Sequence, residues 1–390
     1  MEQSIEIRRT DWRDFPLAHY LTLNPALLML GLMVLLAAVS RFWDLGSRAL
    51  HHDESLHALY SYYLYDRGEY QHNPLMHGPL LFHLTALGYW LFGVSDATAR
   101  LVPAILGVFL VWVPWKFRDW LGVKGALFAS LLVLVSPTLL YYSRFIREDI
   151  FAAAWTVIIV YATWKYLEGG EDFHLYLTAA GWALLFSQKE LSFLLAFVFW
   201  LFLALVALLR FLGRLGPKPQ IKETREWHLL VMIGALLLPH ASALVIHLLN
   251  MDPVGGYTDA AYQSTAFLTN AGAVTLFLFL AGYAAAIVLW NPRKFLIAAG
   301  IFYAIFVLLH TTFLTWPWGI GSGLVGALGY WIEQHGVERG GQPWFYYAML
   351  LPLYEFLPLL VGLVGGGILL ARRRNGAVAP GPREANQPLD

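Results

Sequence analysis

Ten apolar runs, most of them close to twenty residues long, follow one another along this chain and leave it few ways to fold. About twenty apolar residues cross roughly 30 Å of hydrocarbon, where backbone polar groups must be satisfied within the segment itself. The candidate spans are 25–43, 97–117, 123–142, 149–167, 174–187, 191–212, 228–249, 271–290, 295–315 and 346–371. The fifth is short, and Gln188 to Glu190 mark where it meets water. With 58% hydrophobic and 13% charged residues, and a mean hydropathy of +0.56, the expected fold is an all-α polytopic membrane protein. Sixteen Trp and twenty Tyr suit a chain with many membrane–water boundaries.

Three regions follow. Residues 1–24 read as a cytoplasmic segment before an uncleaved anchor, because Glu2, Glu6, Asp11 and Asp14 stand among its basic residues and no small-residue cleavage site follows. Residues 25–371 form the membrane domain. Residues 372–390, polar with Pro and Gly, read as a disordered cytoplasmic tail. The absence of cysteine removes disulfides, thiolate catalysis and Cys-ligated zinc. A formal net charge of zero gives no ground for a nucleic-acid partner.

The segment 79–93 is apolar but only fifteen residues long, with His83 inside it. Charge arbitrates its placement, since Lys and Arg concentrate in cytoplasmic loops. With 79–93 lying in the interface, the twenty-six basic residues divide eighteen inside to eight outside; with 79–93 spanning, the division inverts. The interfacial reading makes 55–66 and 79–92 juxtamembrane helices in a first outer loop, 44–96. It also puts Asp53, Glu54, Arg100, Arg144, Arg147, Glu148, Asp149, Lys189, Glu190, Glu333, His335 and Glu338 on the extracytoplasmic side.

That loop holds the densest polar chemistry, with the acidic pair Asp53 and Glu54 among six histidines at 51, 52, 57, 72, 77 and 83. A carboxylate partly shielded from water at an interface can serve as a general base. The same pair can instead cap the helix that begins near Ser55. His57, four residues after Asp53, shares its helix face if the helix starts early. In SRFIREDI, Arg144, Arg147, Glu148 and Asp149 directly follow an apolar span. Arginines there suit a phosphate, and equally suit an ion-pair cluster tying helix ends together. Lys189, beside Glu190 in a short turn, adds a second cation for the same anion, or merely snorkels. His57, His72, His77, Glu148 and Glu190 are candidate substrate or metal contacts, and a divalent cation such as Mg or Mn is a candidate cofactor. No HExxH-like ligand spacing is present, and His72 to Pro79 reads more as a turn. Glu355 falls inside the last span and needs a partner there, a tyrosine or an open cavity.

Four stretches carry a specific resemblance: DESxHA (Asp53 to Ala58), HxPLxHGPL (His72 to Leu80), LFGxSDATARLxPA (Leu91 to Ala104) and SPxLLYYSRFIRED (Ser136 to Asp149). Together with SQKE (Ser187 to Glu190) and GQPWFYY (Gly341 to Tyr347), they resemble the integral-membrane GT-C glycosyltransferases that use polyprenyl-phosphate sugars. Protein O-mannosyltransferases and lipid A aminoarabinose transferases form that group, and the wording is closest to a prokaryotic subgroup named for association with flippase activity. The resemblance implies a GT-C-type bundle of about ten transmembrane helices, with the catalytic acid in the first outer loop. It maps the base onto Asp53, a second acid onto Asp149, and donor-phosphate contacts onto Arg100, Arg147 and Lys189, with Arg144 beside them. The implied partners are a polyprenyl-phosphate-linked sugar, the bilayer and an unidentified acceptor. A flippase component or an accessory subunit for lipid-linked sugars is the alternative.

Overall fold

The computed structural model describes residues 24–215, 220–251, 263, 267–334, 341, 343 and 345–374. The N-terminal segment, most of the loop after Asn250, His335, Glu338, Trp344 and the tail from Asn375 lie outside the described residues. Among the described residues the regular structure is helical throughout, as the apolar patterning requires.

The principal helices are α1 (Pro25–Phe42), α2 (His52–Arg67), α3 (Leu80–Phe92), α4 (Leu101–Trp112), α5 (Arg118–Val135), α6 (Glu148–Gly169), α7 (Asp172–Phe186) and α8 (Leu191–Phe211). They continue with α9 (Arg225–Leu248), α10 (Phe267–Leu289), α11 (Pro292–His310), α12 (Tyr346–Tyr354) and α13 (Phe356–Arg374). Seven helical stretches among the described residues are long and apolar enough to cross a membrane, or eight if α12 and α13 count as one bent span.

With the bent pair counted as one span, the gap between eight and ten has two causes. Residues Leu101–Val135 pass as one helix, but 35 residues would reach about 50 Å, well beyond a bilayer. The chain turns inside the stretch at Gly122, whose φ of 69° and ψ of 163° break the helix. Arg41 confirms the fold-back: its guanidinium donates to the Val133 and Leu134 carbonyls, while its stem lies against Gly107 of α4. α4 and α5 are therefore the two arms of a hairpin. The second cause is α7, only 15 residues long. Its centre is buried against α6 and α11, with Trp182 and Leu175 in one core with Tyr166, Phe295 and Phe302.

α3, at 13 residues, is about 20 Å long and cannot cross. It packs along α2, burying Leu81, Phe82 and Tyr89 in a second core with Ile146, Ile150 and Phe151. The outward faces of the long helices stay apolar, as with Phe197 of α8, Phe277 and Val288 of α10 and Leu363 of α13. Such continuous exposed apolar surface is what a lipid-facing wall needs.

The bundle has two chemically distinct ends. One gathers Lys165 with Asp119 (2.9 Å), Lys294 with Asp172 (2.5 Å) and Arg210 with Glu226 (2.8 Å), and Arg225 caps the α6 carbonyls at Leu167 and Glu168. The other brings together the turns at 44–54, 72–79, 143–149 and 187–190, which carry the predicted site residues. Glu355 lies at this end too, where α12 and α13 meet at 92°. Its partner is neither a tyrosine nor a cavity: its carboxylate accepts from the Ser136 hydroxyl (2.6 Å) and the Thr138 amide (3.3 Å).

Candidate active site

Three adjacent residue pairs build the site, and each divides its labour in the same way. One member is partly exposed on a shared charged face while its neighbour turns inward and locks the backbone.

The first pair begins α2. His51 is the N-cap, its ring accepting from the Asp53 amide, and Glu54 returns the favour by accepting from the His51 amide (3.0 Å). Glu54 is fully buried. Its carboxylate also receives two bonds from Arg100, at 2.8 and 2.9 Å, one from Arg48 (3.0 Å) and one from the Ile146 amide (3.2 Å). Burial opposes its ionisation, but these donors and the Arg100 charge outweigh it and hold the carboxyl below its ordinary range. Asp53 points the other way, and its carboxylate is 36% exposed.

The second pair begins α6. Glu148 is fully buried, with Oε1 at 2.6 Å from His57 Nε2. The other ring nitrogen, Nδ1, lies 2.7 Å from the Asp53 carbonyl, which can only accept. Nδ1 therefore donates to that carbonyl, and the ring is fixed with Nε2 beside the buried Glu148 carboxyl. Asp149 lies on the charged face instead.

The third pair lies in the turn between α7 and α8. Glu190 accepts from His77 Nδ1 (2.6 Å), and the His77 ring stacks on Trp331 at 5.3 Å. Burial pushes the His77 imidazole down, yet the hydrogen bond and charge of Glu190, with a smaller pull from Glu148, outweigh it and raise it. Lys189 lies on the charged face and pairs with Asp149. The turn is docked on the HGP segment: Gly78 and Leu80 donate to the Gln188 and Ser187 carbonyls at 3.1 and 3.0 Å. Gly78 is needed for that approach, since a Cβ there would meet the Ser187 carbonyl at 2.3 Å.

The exposed members form one chain of alternating charge. Asp53 meets Arg147 at 2.5 Å, Arg147 meets Asp149 at 3.6 Å, and Asp149 meets Lys189. Two carboxylates and two cations from three separate segments thus share one charged face, about a third exposed except for the more shielded Lys189.

Several expected roles need correction. Glu54 cannot act as a catalytic acid or base, because its oxygens are saturated with donors and sealed from solvent. Arg100 cannot reach a phosphate: it is 1% exposed, and beyond Glu54 it donates to the Leu45, Arg48 and Ala49 carbonyls. Arg144 is spent on the carbonyls of Ser40, Arg41, Trp43 and Asp44, where it closes the C-terminal end of α1. His57 and Glu148 face each other, and His72 is buried with Nδ1 at 2.8 Å from the Ser322 hydroxyl, its imidazole pushed down to about 3 by burial. None of the three lies on the charged face as a substrate or metal contact. His77 and Glu190 are half-hidden partners of each other.

Asp53 and Asp149 converge on one point, but the Arg147 guanidinium already stands between them. Among the described residues no three His, Asp or Glu side chains gather as metal ligands. Arg48 was missing from the sequence candidates; it reaches Glu54 and lies over the rings of Tyr141 and Phe145.

Residues 76–215 match the family model of the dolichyl-phosphate-mannose-protein mannosyltransferases. The matched segment contains Arg147, Asp149 and Lys189 and begins after Asp53. No curated protein matches the chain. Among solved structures the chain is similar to ArnT from Cupriavidus metallidurans, in its complex with undecaprenyl phosphate, at 18% identity and a TM-score of 0.43. The similarity covers 89% of this chain and 72% of that one. Fold and matched segment together define a multi-pass helical membrane protein, and its sequence pattern resembles that of the GT-C glycosyltransferases.

Proposed function

We propose that this protein transfers a sugar from a polyprenyl-phosphate carrier to an acceptor hydroxyl on the extracytoplasmic face, with Asp53 as the general base. The observation that carries the reading is the charged cluster itself, where two carboxylates and two cations from three separate segments share a site at one end of an apolar bundle. The opposite end, with Lys116, Lys165, Arg210, Arg225 and Lys294, is then cytoplasmic, in keeping with the charge bias of membrane proteins.

The chemistry follows from the salt-bridge chain. A phosphodiester entering from the bilayer offers Arg147 and Lys189 oxygens that compete with Asp53 and Asp149. As Arg147 turns to the phosphate, Asp53 loses its counter-charge and becomes a better proton acceptor. The acceptor oxygen then attacks the anomeric carbon while its proton passes to Asp53. The bond from that carbon to the phosphate oxygen breaks, and the electron pair leaves with the lipid phosphate, held by Arg147 and Lys189. A single displacement inverts the anomeric centre. Buried Glu54 and Glu148 take no proton from substrate; they hold the two helix starts that carry Asp53 and Asp149.

The test is turnover by purified protein in lipid, presented with polyprenyl-phosphate monosaccharides and read by mass spectrometry. Release of lipid phosphate supports the reading. Tight donor binding with no release, with or without candidate acceptors, would favour a flippase component or accessory subunit.

A further inference from the structure

Beside α2, away from the charged face, lies a cavity of about 520 Å³ that the reaction above does not use. Its walls come from three places. Tyr60 and Tyr63 face it from α2, Glu69, Gln71 and Asn73 from the return segment after Gly68, and Thr315 and Trp316 from the turn after α11. Phe82 closes the floor, in edge contact with Tyr60 at 6.4 Å.

The walls are fixed in place. Thr312 donates to the Tyr70 carbonyl (2.9 Å), tying the return segment to the turn after α11. That turn runs through three consecutive left-handed residues that are not glycine: Thr312 (φ 49°), Phe313 (φ 54°) and Leu314 (φ 71°). Each costs roughly 1–2 kcal/mol, and such strain concentrates at binding sites. The strained turn delivers Thr315 and Trp316 to the cavity. Arg67 lies over the Tyr63 ring at 4.8 Å and steadies it, but does not line the space.

The lining decides the ligand class. No Lys or Arg contributes to it, and Glu69 does, so phosphate and other anions are disfavoured. An apolar chain is disfavoured by the amides, carboxylate and hydroxyls. Aromatic faces interleaved with amide, carboxylate and hydroxyl groups suit a neutral polyol, whose C–H faces lie on rings while its hydroxyls exchange hydrogen bonds. Tyr60 and Tyr63 follow Asp53 on the same helix by seven and ten residues, about 10 to 15 Å along the axis.

We infer that this cavity is a carbohydrate subsite, which holds the sugar portion of an extended acceptor while its reactive end lies at Asp53. The subsite rests on the transferase reading for its role, but its ligand chemistry stands on the lining alone. The test uses maltotriose and mannotriose as probes, with saturation-transfer NMR on the full-length protein in lipid. Wild type should bind at least one trisaccharide. Tyr60→Ala and Gln71→Ala should each weaken it about tenfold, the loss of one ring contact or hydrogen bond set. Asp53→Asn should bind it as wild type does, which separates the cavity from the charged face. Absence of binding to wild type, or equal binding by both cavity variants in folded form, overturns the inference. Failure of the transferase reading shows separately, as absence of lipid phosphate release from a donor.

Discussion

The Asp53 carboxylate and the Arg147 guanidinium lie 2.5 Å apart, although 94 residues separate them in the chain. In the proposed mechanism this pair couples the base to the donor phosphate, which gives Arg147 two duties. Replacing it with Gln removes a phosphate contact and leaves Asp53 permanently unpaired. Turnover should fall about 10²-fold, with weakened donor binding, because a cation aimed at developing charge is lost. Donor titrations and initial rates on Arg147→Gln check both parts.

Glu54 and Arg100 make the opposite kind of pair, sealed and structural. Glu54→Gln should destabilise the protein by about 3–5 kcal/mol, since it strands a buried guanidinium. Asp53→Asn, one residue away and partly exposed, should change stability little. Thermal unfolding in detergent separates the two.

The Glu54 carboxyl titrates below its ordinary value, so its contribution to stability is present above the unfolded value near 4.3. It is lost as pH falls through the lower folded value. Wild type should therefore lose stability in acid more steeply than Glu54→Gln does, measured as unfolding temperature from pH 7 downward.

His77 runs the other way. Glu190 raises it, so the pair's stabilisation is complete below about pH 6.5 and is lost as pH rises through the folded value. His77→Gln should flatten the fall in stability as pH rises above about 6.5. An unchanged slope would show that the pair does not titrate there.

Gly78→Ala should separate the HGP segment from the 187–190 turn, because the added methyl would stand 2.3 Å from a carbonyl that cannot retreat. A cost of about 1–3 kcal/mol is expected, with a larger loss of turnover as Lys189 shifts. Thermal unfolding and donor turnover of the variant measure the two.

Much of the fold was legible in the sequence because lipid imposes one rule, a satisfied helix of about twenty apolar residues. Separate apolar runs at 97–117 and 123–142 correspond to the two arms that meet near Gly122, and the fifteen-residue run at 79–93 to the short α3. The site was legible by residue type but less so by direction. Asp53, Arg147, Asp149 and Lys189 do meet, whereas Glu54, Glu148 and Arg100 turn inward. Neighbouring residues at a helix start point about 100° apart, and composition does not say which one reaches the charged face. His57 was expected on the Asp53 face and is near it, but its partner is Glu148, and only tertiary packing could reveal that. The bend at Glu355 went unseen for the same reason: its partner Ser136 lies 219 residues away.

The measurement that bears most directly on the central claim is the rate of lipid phosphate release from a bound polyprenyl-phosphate sugar by Asp53→Asn beside wild type, at saturating donor. A fall of about 10²–10⁴-fold, with fold and donor affinity retained, is the predicted result. Full activity in a correctly folded Asp53→Asn protein would contradict it.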